Sequence, residues 1–307
     1  MPIKDRINKK QRRNLYKVLE MMPDKWVIHL QYYAALGRRL NLNNPQRFTE
    51  KIEWYKLNYR NPLMTICADK YLVRSYVEDK GYSELLPELY GVFDSYDEIN
   101  FSILPKSFAI KSNNGSGTNI FIKDKEKMDV TEVEKIVRSW DKVNTLSIGR
   151  EWVYKDIEQK IVIEELLNPE DDFQISNGLN DYKIMCFNGV AKYIWVDINR
   201  SNDHQRNFYD LEWNLLDVTS DKPQYSGEIE KPDGLKKMLE IATTFSEDFP
   251  FVRVDFYSLN GNVYIGELTF YPWSGTVQFT PDCFDFHLGE LFKLPSKVEK
   301  GNKNNEK

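Results

Sequence analysis

Residues 252–269, Val-Arg-Val-Asp-Phe-Tyr-Ser-Leu-Asn-Gly-Asn-Val-Tyr-Ile-Gly-Glu-Leu-Thr, alternate apolar and polar side chains on both sides of Asn260-Gly261. Period-two alternation interrupted by Asn-Gly predicts a β-hairpin. Arg253, Asp255, Glu267 and Thr269 bring charge and polarity into these otherwise apolar runs. Register decides what they mean. A two-residue loop sets Asp255 and Glu267 on opposite faces. A three-residue loop, Asn260-Gly261-Asn262, sets them side by side, with Arg253 and Thr269 on the same face. Adjacent carboxylates repel unless a cation stands between them, so the second register points to Mg²⁺ holding a phosphate beside Arg253. The first register leaves charges in water.

Further elements follow from the same patterning. In and just beyond the basic residues 1–20, Ile3, Ile7, Leu15, Val18, Leu19 and Met22 fall loosely on one helical face. Asn44-Pro45 reads as a helix N-cap with proline at the first position, followed by Phe48, Ile52 and Tyr55 at helical spacing. A helix over about Thr65–Lys80 carries the stripe Leu72, Val73, Tyr76 and Val77 and ends at Gly81. Leu86 to Phe93 reads as a short strand with turns. Strands are expected at 108–111, 119–123 and 161–167, a helix over 130–140, and a hairpin of 181–187 with 191–198 across Asn188-Gly189. Residues 199–232 are polar and loop-like, and Leu235–Phe245 is helical. Hairpins dominate, so the fold class is α+β with antiparallel sheet.

Composition narrows the picture little. Of 307 residues, 41% are hydrophobic and 29% charged, as in ordinary globular proteins. A net charge of −5 argues against a general nucleic-acid binder. Cys67, Cys186 and Cys283 form neither a disulfide framework nor a zinc pattern, which fits a reducing cytosol. No apolar run reaches transmembrane length, and the first residues lack a signal-peptide core. The basic segment 1–20 can rest on an anionic membrane surface or pack its apolar stripe on the body. The expected location is therefore cytoplasmic, with the inner membrane face in reach.

Several polar stretches could carry chemistry. Ser112–Asn119 links two strands, so it is no P-loop, yet its Gly-Ser-Gly can offer backbone N–H groups to an anion beside Lys111. Glu164-Glu165 interrupts an apolar strand, a costly place for acids without partners. Those acids would be justified by an adenine edge, or else the strand lies at a sheet edge. His29, His204 and His287 form no legible triad and read as structural. Glu170-Asp171-Asp172 reads as a solvated loop.

In order, these pieces resemble the ATP-grasp superfamily of carboxylate–amine ligases, and more closely its TupA-like branch among cell-surface polysaccharide biosynthesis proteins. The cues are Asn-Pro-Gln-Arg-Phe-Thr-Glu-Lys-Ile (44–52), Ala68-Asp69-Lys70, Asn-Asn-Gly-Ser-Gly (113–117), Asn-Phe-Tyr-Asp (207–210), Phe-Pro-Phe-Val-Arg-Val-Asp (249–255) and Gly-Glu-Leu-Thr-Phe-Tyr-Pro (266–272). The resemblance implies an ATP-grasp fold with ATP gripped between antiparallel sheets. It divides the chain into a helical segment 1–62, an α/β portion 63–105, a nucleotide-covering subdomain 106–166, a core 167–295 and a frayed tail 296–307.

The resemblance also implies roles. Lys70 and Lys111 would face the nucleotide, and the loop of Asn114, Gly115, Ser116 and Gly117 would cover the β- and γ-phosphates. Glu164, Glu165 and Leu166 would read adenine, while Asp181 and Lys183 would face ribose or phosphate. Asp255, Glu267 and Thr269 would hold Mg²⁺, and Arg253 would bind the transferred phosphoryl group or the carboxylate. Thr269 stands where the superfamily usually has Asn, and Trp273 where the branch commonly has Gly. The implied reaction is amide formation through an acyl phosphate, with a uronic acid of a surface glycan as the acceptor carboxylate and an amino acid or amine as its partner. A nucleotide-sugar glycosyltransferase is the alternative, against which the missing Asp-x-Asp motif counts.

Overall fold

The structure, a computed structural model, describes residues 19–115, 117–140, 149–168, 178–200 and 203–296. Nearly all of the expected N-terminal helix, Ser116, the acidic run Glu170-Asp171-Asp172 and the charged tail lie outside the described residues.

Among the described residues nine strands build two sheets, antiparallel throughout. The smaller sheet contains β1 (Leu89–Phe93), β2 (Phe108–Ser112), β3 (Asn119–Ile122) and β4 (Ile161–Glu164), in the order β1-β4-β2-β3. The larger contains β5 (Asp181–Phe187), β6 (Val190–Ile198), β7 (Gln205–Tyr209), β8 (Phe251–Leu259) and β9 (Asn262–Thr269), in the order β7-β6-β5-β8-β9. Among the described residues the α-helices are α1 (Asp24–Leu36), α2 (Phe48–Asn58), α3 (Pro62–Ala68), α4 (Val73–Asp79), α5 (Val130–Trp140), α6 (Leu235–Ser246) and α7 (Cys283–Leu291). The α+β class expected from the patterning is the one observed.

Each sheet has its own core. The stripe Val133, Val137 and Trp140 of α5 packs with Phe108, Ile110 and Ile163 of the small sheet. Met238, Ile241 and Phe245 of α6 share a second, larger cluster with Ile184 and Val254 of the large sheet. Full burial of each such side chain contributes about 2 kcal/mol of transfer free energy. Alternate residues of β5, β8 and β9 project from the other face, so charged residues there do not interrupt the core.

The β8–β9 hairpin resolves the register question in an unexpected way. Leu259 pairs with Asn262, so the loop is the two residues Asn260-Gly261, both at positive φ (51° and 76°). That loop by itself would separate the two acids. Gly266 is an extra residue on β9: Phe256 pairs with Ile265, and Asp255 pairs with Glu267. This bulge shifts the register by one and returns the acids to one face. The three-residue loop is thus corrected, while the juxtaposition it was meant to explain stands.

Other expectations also change. The helix expected over Thr65–Lys80 is two helices, broken where the Asp69 side chain accepts from Tyr71 N (2.7 Å) and Leu72 N (3.1 Å). The helix expected to begin at Asn44-Pro45 starts at Phe48, because the Glu50 carboxylate accepts from Gln46 N (2.9 Å) and Arg47 N (3.2 Å). β4 ends at Glu164 rather than Leu167, and the Glu165 N–H goes to Glu88 O at 2.8 Å. β7 falls inside the stretch read as loop. Its Arg206 and Asn207 are buried polar residues whose partners lie elsewhere in the chain.

Candidate active site

Cross-strand pairing lines up the polar residues of the large sheet. Lys183 on β5 pairs with Asp255 on β8, which pairs with Glu267 on β9. Arg253 pairs with Thr269 on the same face. One turn of the pleat away, Asp181 pairs with Asp197 on β6, and Asp197 with Arg206 on β7. All of these alternate with core residues, so the sheet's period of two gathers them into one polar surface.

The bonds within this row are short. Arg253 grips Asp255 with two donors, Nε to Oδ1 and Nη2 to Oδ2, both at 2.5 Å. Its Nη2 also reaches Glu267 Oε1 and Thr269 Oγ1, each at 2.9 Å. Thr269 Oγ1 donates to Glu267 Oε1 at 3.1 Å. Lys183 Nζ donates to Asp255 Oδ2 (2.5 Å) and Asp181 Oδ2 (2.6 Å). Arg200 pairs with Asp181, and Arg206 Nε donates to Asp197 Oδ1 at 2.6 Å. Four carboxylates therefore face four cations in a largely buried layer.

Electrostatics follow from this packing. Burial pushes the Asp255 carboxyl up to about 6, against the pull of Arg253 and Lys183. Burial pushes Glu267 up as well, but Arg253, Lys70 and Lys183 outweigh it and bring this acid down to about 2. Glu267 is thus held as a carboxylate at neutral pH. Burial also opposes ionisation of Asp197, yet His204, Arg206 and Lys183 hold it well below the usual carboxylate range. Among the sequence's three histidines, His204 therefore lies beside the row, with Nε2 3.1 Å from Asp197 Oδ1.

The second half of the site is a narrow crevice where the two sheets approach. Lys70, Arg74, Lys111, Glu164, Ile265 and Gly266 line it. Lys111 pairs with Glu164, and Arg74 Nη1 lies 3.8 Å from the other oxygen of that carboxylate. Those two cations answer the cost of placing Glu164 in a buried strand. Burial lowers the Lys70 pKa, with Lys111 adding to the effect, while Glu267, Asp69 and Glu164 oppose it. Lys70 Nζ donates to Gly115 O at 2.5 Å. Leu166 O accepts from Asn168 Nδ2 at 3.1 Å, just beyond the strand.

A latch that sequence reading missed holds the glycine loop in place. Asn113 Nδ2 donates to Asp69 Oδ2 (2.7 Å) and Glu158 O (2.9 Å), while Asn113 Oδ1 accepts from Lys160 N at 2.7 Å. Lys70 N donates to Asn113 O at 2.9 Å. Asn114 Oδ1 accepts from Ser112 Oγ at 2.9 Å, and Gly115 and Gly117 both have positive φ. The helix break at Asp69 and the glycine loop are thus one assembly, which neither stretch signals alone. Asp197, Arg200 and Arg206 were also missed. Asp197 carried the cue that found Asp255, a charge in an otherwise apolar strand, whereas Arg200 follows the end of β6 and Arg206 sits in the polar start of β7.

Trp273 adds an aromatic wall. Its ring lies 4.4 Å from that of Trp195, and Arg253 sits 4.9 Å over Trp195. Trp273 and Ser274 have φ of 51° and 53°. A left-handed backbone of this kind favours glycine, which explains why Gly would be the easier residue there.

The donor set fits Mg²⁺. Asp255 and Glu267 offer carboxylate oxygens on one face and Thr269 a hydroxyl, and Mg²⁺ typically takes one or two carboxylates with water and phosphate completing its shell. Among the described residues no group of three or more His, Cys, Asp and Glu stands ready to hold a metal.

Two antiparallel sheets with separate cores, a lysine-lined crevice between them and paired acids beside it are the arrangement of an ATP-grasp protein. The chain belongs to the TupA-like ATPgrasp family, whose model matches residues 50–293. No curated protein matched the chain. Among solved structures it is similar to D-alanine–D-alanine ligase from Bacillus anthracis, at 18% identity and TM-score 0.41, over 66% of this chain and 57% of that one. It is similar to the Helicobacter pylori D-alanine–D-alanine ligase at 16% and 0.42, over 80% and 68%. Phosphoribosylamine–glycine ligase from Thermotoga maritima matches at 15% and 0.40, over 67% and 48%. The chain thus spans about half to two thirds of the length of these structures.

Proposed function

We propose that the protein is an ATP-dependent carboxylate–amine ligase. The observation that carries this reading is the row of Lys183, Asp255, Arg253, Glu267 and Thr269 beside the crevice of Lys70, Lys111 and Glu164. Glu164, Glu165 and Leu166 would border adenine. Lys70, Lys111 and the loop of Asn114, Gly115, Ser116 and Gly117 would follow the phosphates, with Asp181 and Lys183 behind them. Asp255, Glu267 and Thr269 would hold Mg²⁺, which when bound neutralises phosphate charge.

In the first step the acceptor carboxylate oxygen attacks the γ-phosphorus of ATP. The bond to ADP breaks, giving an acyl phosphate. An amine nitrogen then attacks the acyl carbon, phosphate leaves with the bonding pair, and the amine proton passes to phosphate or water. No protein nucleophile is needed, so catalysis rests on positioning and fixed charge. Arg253, Lys183 and Lys111 supply that charge from positions already ordered by their carboxylate partners. The acceptor is a uronic-acid carboxylate of a cell-surface polysaccharide, joined to an amino acid or amine, as the family resemblance implies.

Heavy-oxygen labelling tests this chemistry. Uronic acids are screened with amines for ADP release, and the active acid is then labelled in its carboxylate. One labelled oxygen should appear in inorganic phosphate for each amide formed. Amide formation with unlabelled phosphate would exclude the acyl phosphate.

A further inference from the structure

The proposed ligase chemistry leaves α1 unused, and this helix is apolar on two sides. Val27, Ile28 and Tyr32 face inward and are fully buried. Trp26, Leu30 and Tyr33, at helical positions i, i+4 and i+7, face outward with exposures of 66%, 52% and 60%. Met21, just before the helix, is 88% exposed. A helix resting on a protein body ordinarily turns a polar stripe to water, and one apolar all round is covered on both sides. The outward residues line an open groove of about 580 Å³ that Lys25 and Arg39 also border.

Charge decides what covers it. Residues 1–40 hold ten Lys or Arg and three Asp or Glu, a net +7 in a chain whose total is −5. In sequence the cationic stretch runs into α1, and Lys25 and Arg39 border its exposed aromatic face. Tryptophan and tyrosine with flanking lysine and arginine suit the headgroup boundary of a bilayer, where rings sit at the interface and cations meet anionic lipid. No helix among the described residues is long and apolar enough to cross a membrane, so contact would be along the surface.

We propose that the outer face of α1, centred on Trp26, Leu30 and Tyr33, docks the protein on an anionic lipid surface, with Lys25 and Arg39 at the border of the groove meeting the lipid headgroups.

The test is co-sedimentation of the full chain with vesicles of phosphatidylcholine alone or mixed with phosphatidylglycerol. Binding is expected only to the mixed vesicles and should weaken with salt. The variant Trp26→Ser/Leu30→Ser/Tyr33→Ser should lose about tenfold or more of the bound fraction, because interfacial binding scales with buried apolar area. These side chains are exposed, so the variant should keep wild-type thermal stability, which verifies its fold. Undiminished binding by that variant would mean charge alone attracts the chain and would overturn the proposal. Absence of vesicle binding by the wild type would also overturn it, as would a concentration-dependent dimer abolished by the variant, since the face would then be a self-contact. Vesicle binding requires neither ATP nor acceptor, so its outcome is separate from the ligase reading.

Discussion

Glu267→Gln should lower turnover by roughly three orders of magnitude while leaving the fold intact. Glutamine keeps the shape and an oxygen that can still accept from Arg253 Nη2 and Thr269 Oγ1. What it loses is the negative charge, and Glu267 carries that charge throughout the neutral range because Arg253, Lys70 and Lys183 outweigh the effect of burial. The side chain is 40% exposed, so the substitution should change unfolding free energy by only about 1 kcal/mol or less. The expected pattern is an unchanged thermal midpoint, loss of Mg²⁺-dependent ADP binding and loss of ADP release. Full activity in this variant would remove Glu267 from the metal site.

Lys183→Met should have the opposite signature, a large loss of stability. Lys183 lies among Asp181, Asp255 and, at 3.9 Å, Asp197. Removing one cation leaves an uncompensated buried negative charge, which typically costs about 3–5 kcal/mol. Each acid keeps a guanidinium, Asp181 with Arg200, Asp197 with Arg206 and Asp255 with Arg253. The loss should therefore fall near the low end of that range. Lys183→Met combined with Asp255→Asn restores the balance of charge and should recover part of it. Chemical denaturation of the wild type, Lys183→Met, Asp255→Asn and the double variant measures the coupling. Equal stability of the wild type and Lys183→Met would show that the row is wetter and less coupled than its hydrogen bonds indicate.

Much of this site is legible along the chain because a strand gives each side chain its face by parity. Arg253, Asp255, Glu267 and Thr269 stand out as polar residues at alternate positions, and Asp181 and Lys183 repeat the cue. What parity cannot give is the bulge. Gly266 changes the register by one residue, and its effect depends on the pairing of β8 with β9 rather than on local preference. The latch of Asp69 and Asn113 escaped for a related reason. Its two members lie 44 residues apart and meet only after the helix breaks at Asp69. β7 escaped because its side chains are polar, and Arg206 becomes tolerable in a buried strand only when Asp197 is beside it.

The most direct test of the account is thermal stabilisation by Mg²⁺–ADP against Mg²⁺–UDP, in wild type and Lys111→Ala. A ligand that binds the native state raises its stability by mass action. A rise with ADP, absent with UDP and lost in Lys111→Ala, is the predicted result. It would mean that the crevice of Lys70, Lys111 and Glu164 receives an adenine nucleotide. A rise with UDP alone would contradict the ligase reading and point to a nucleotide-sugar enzyme.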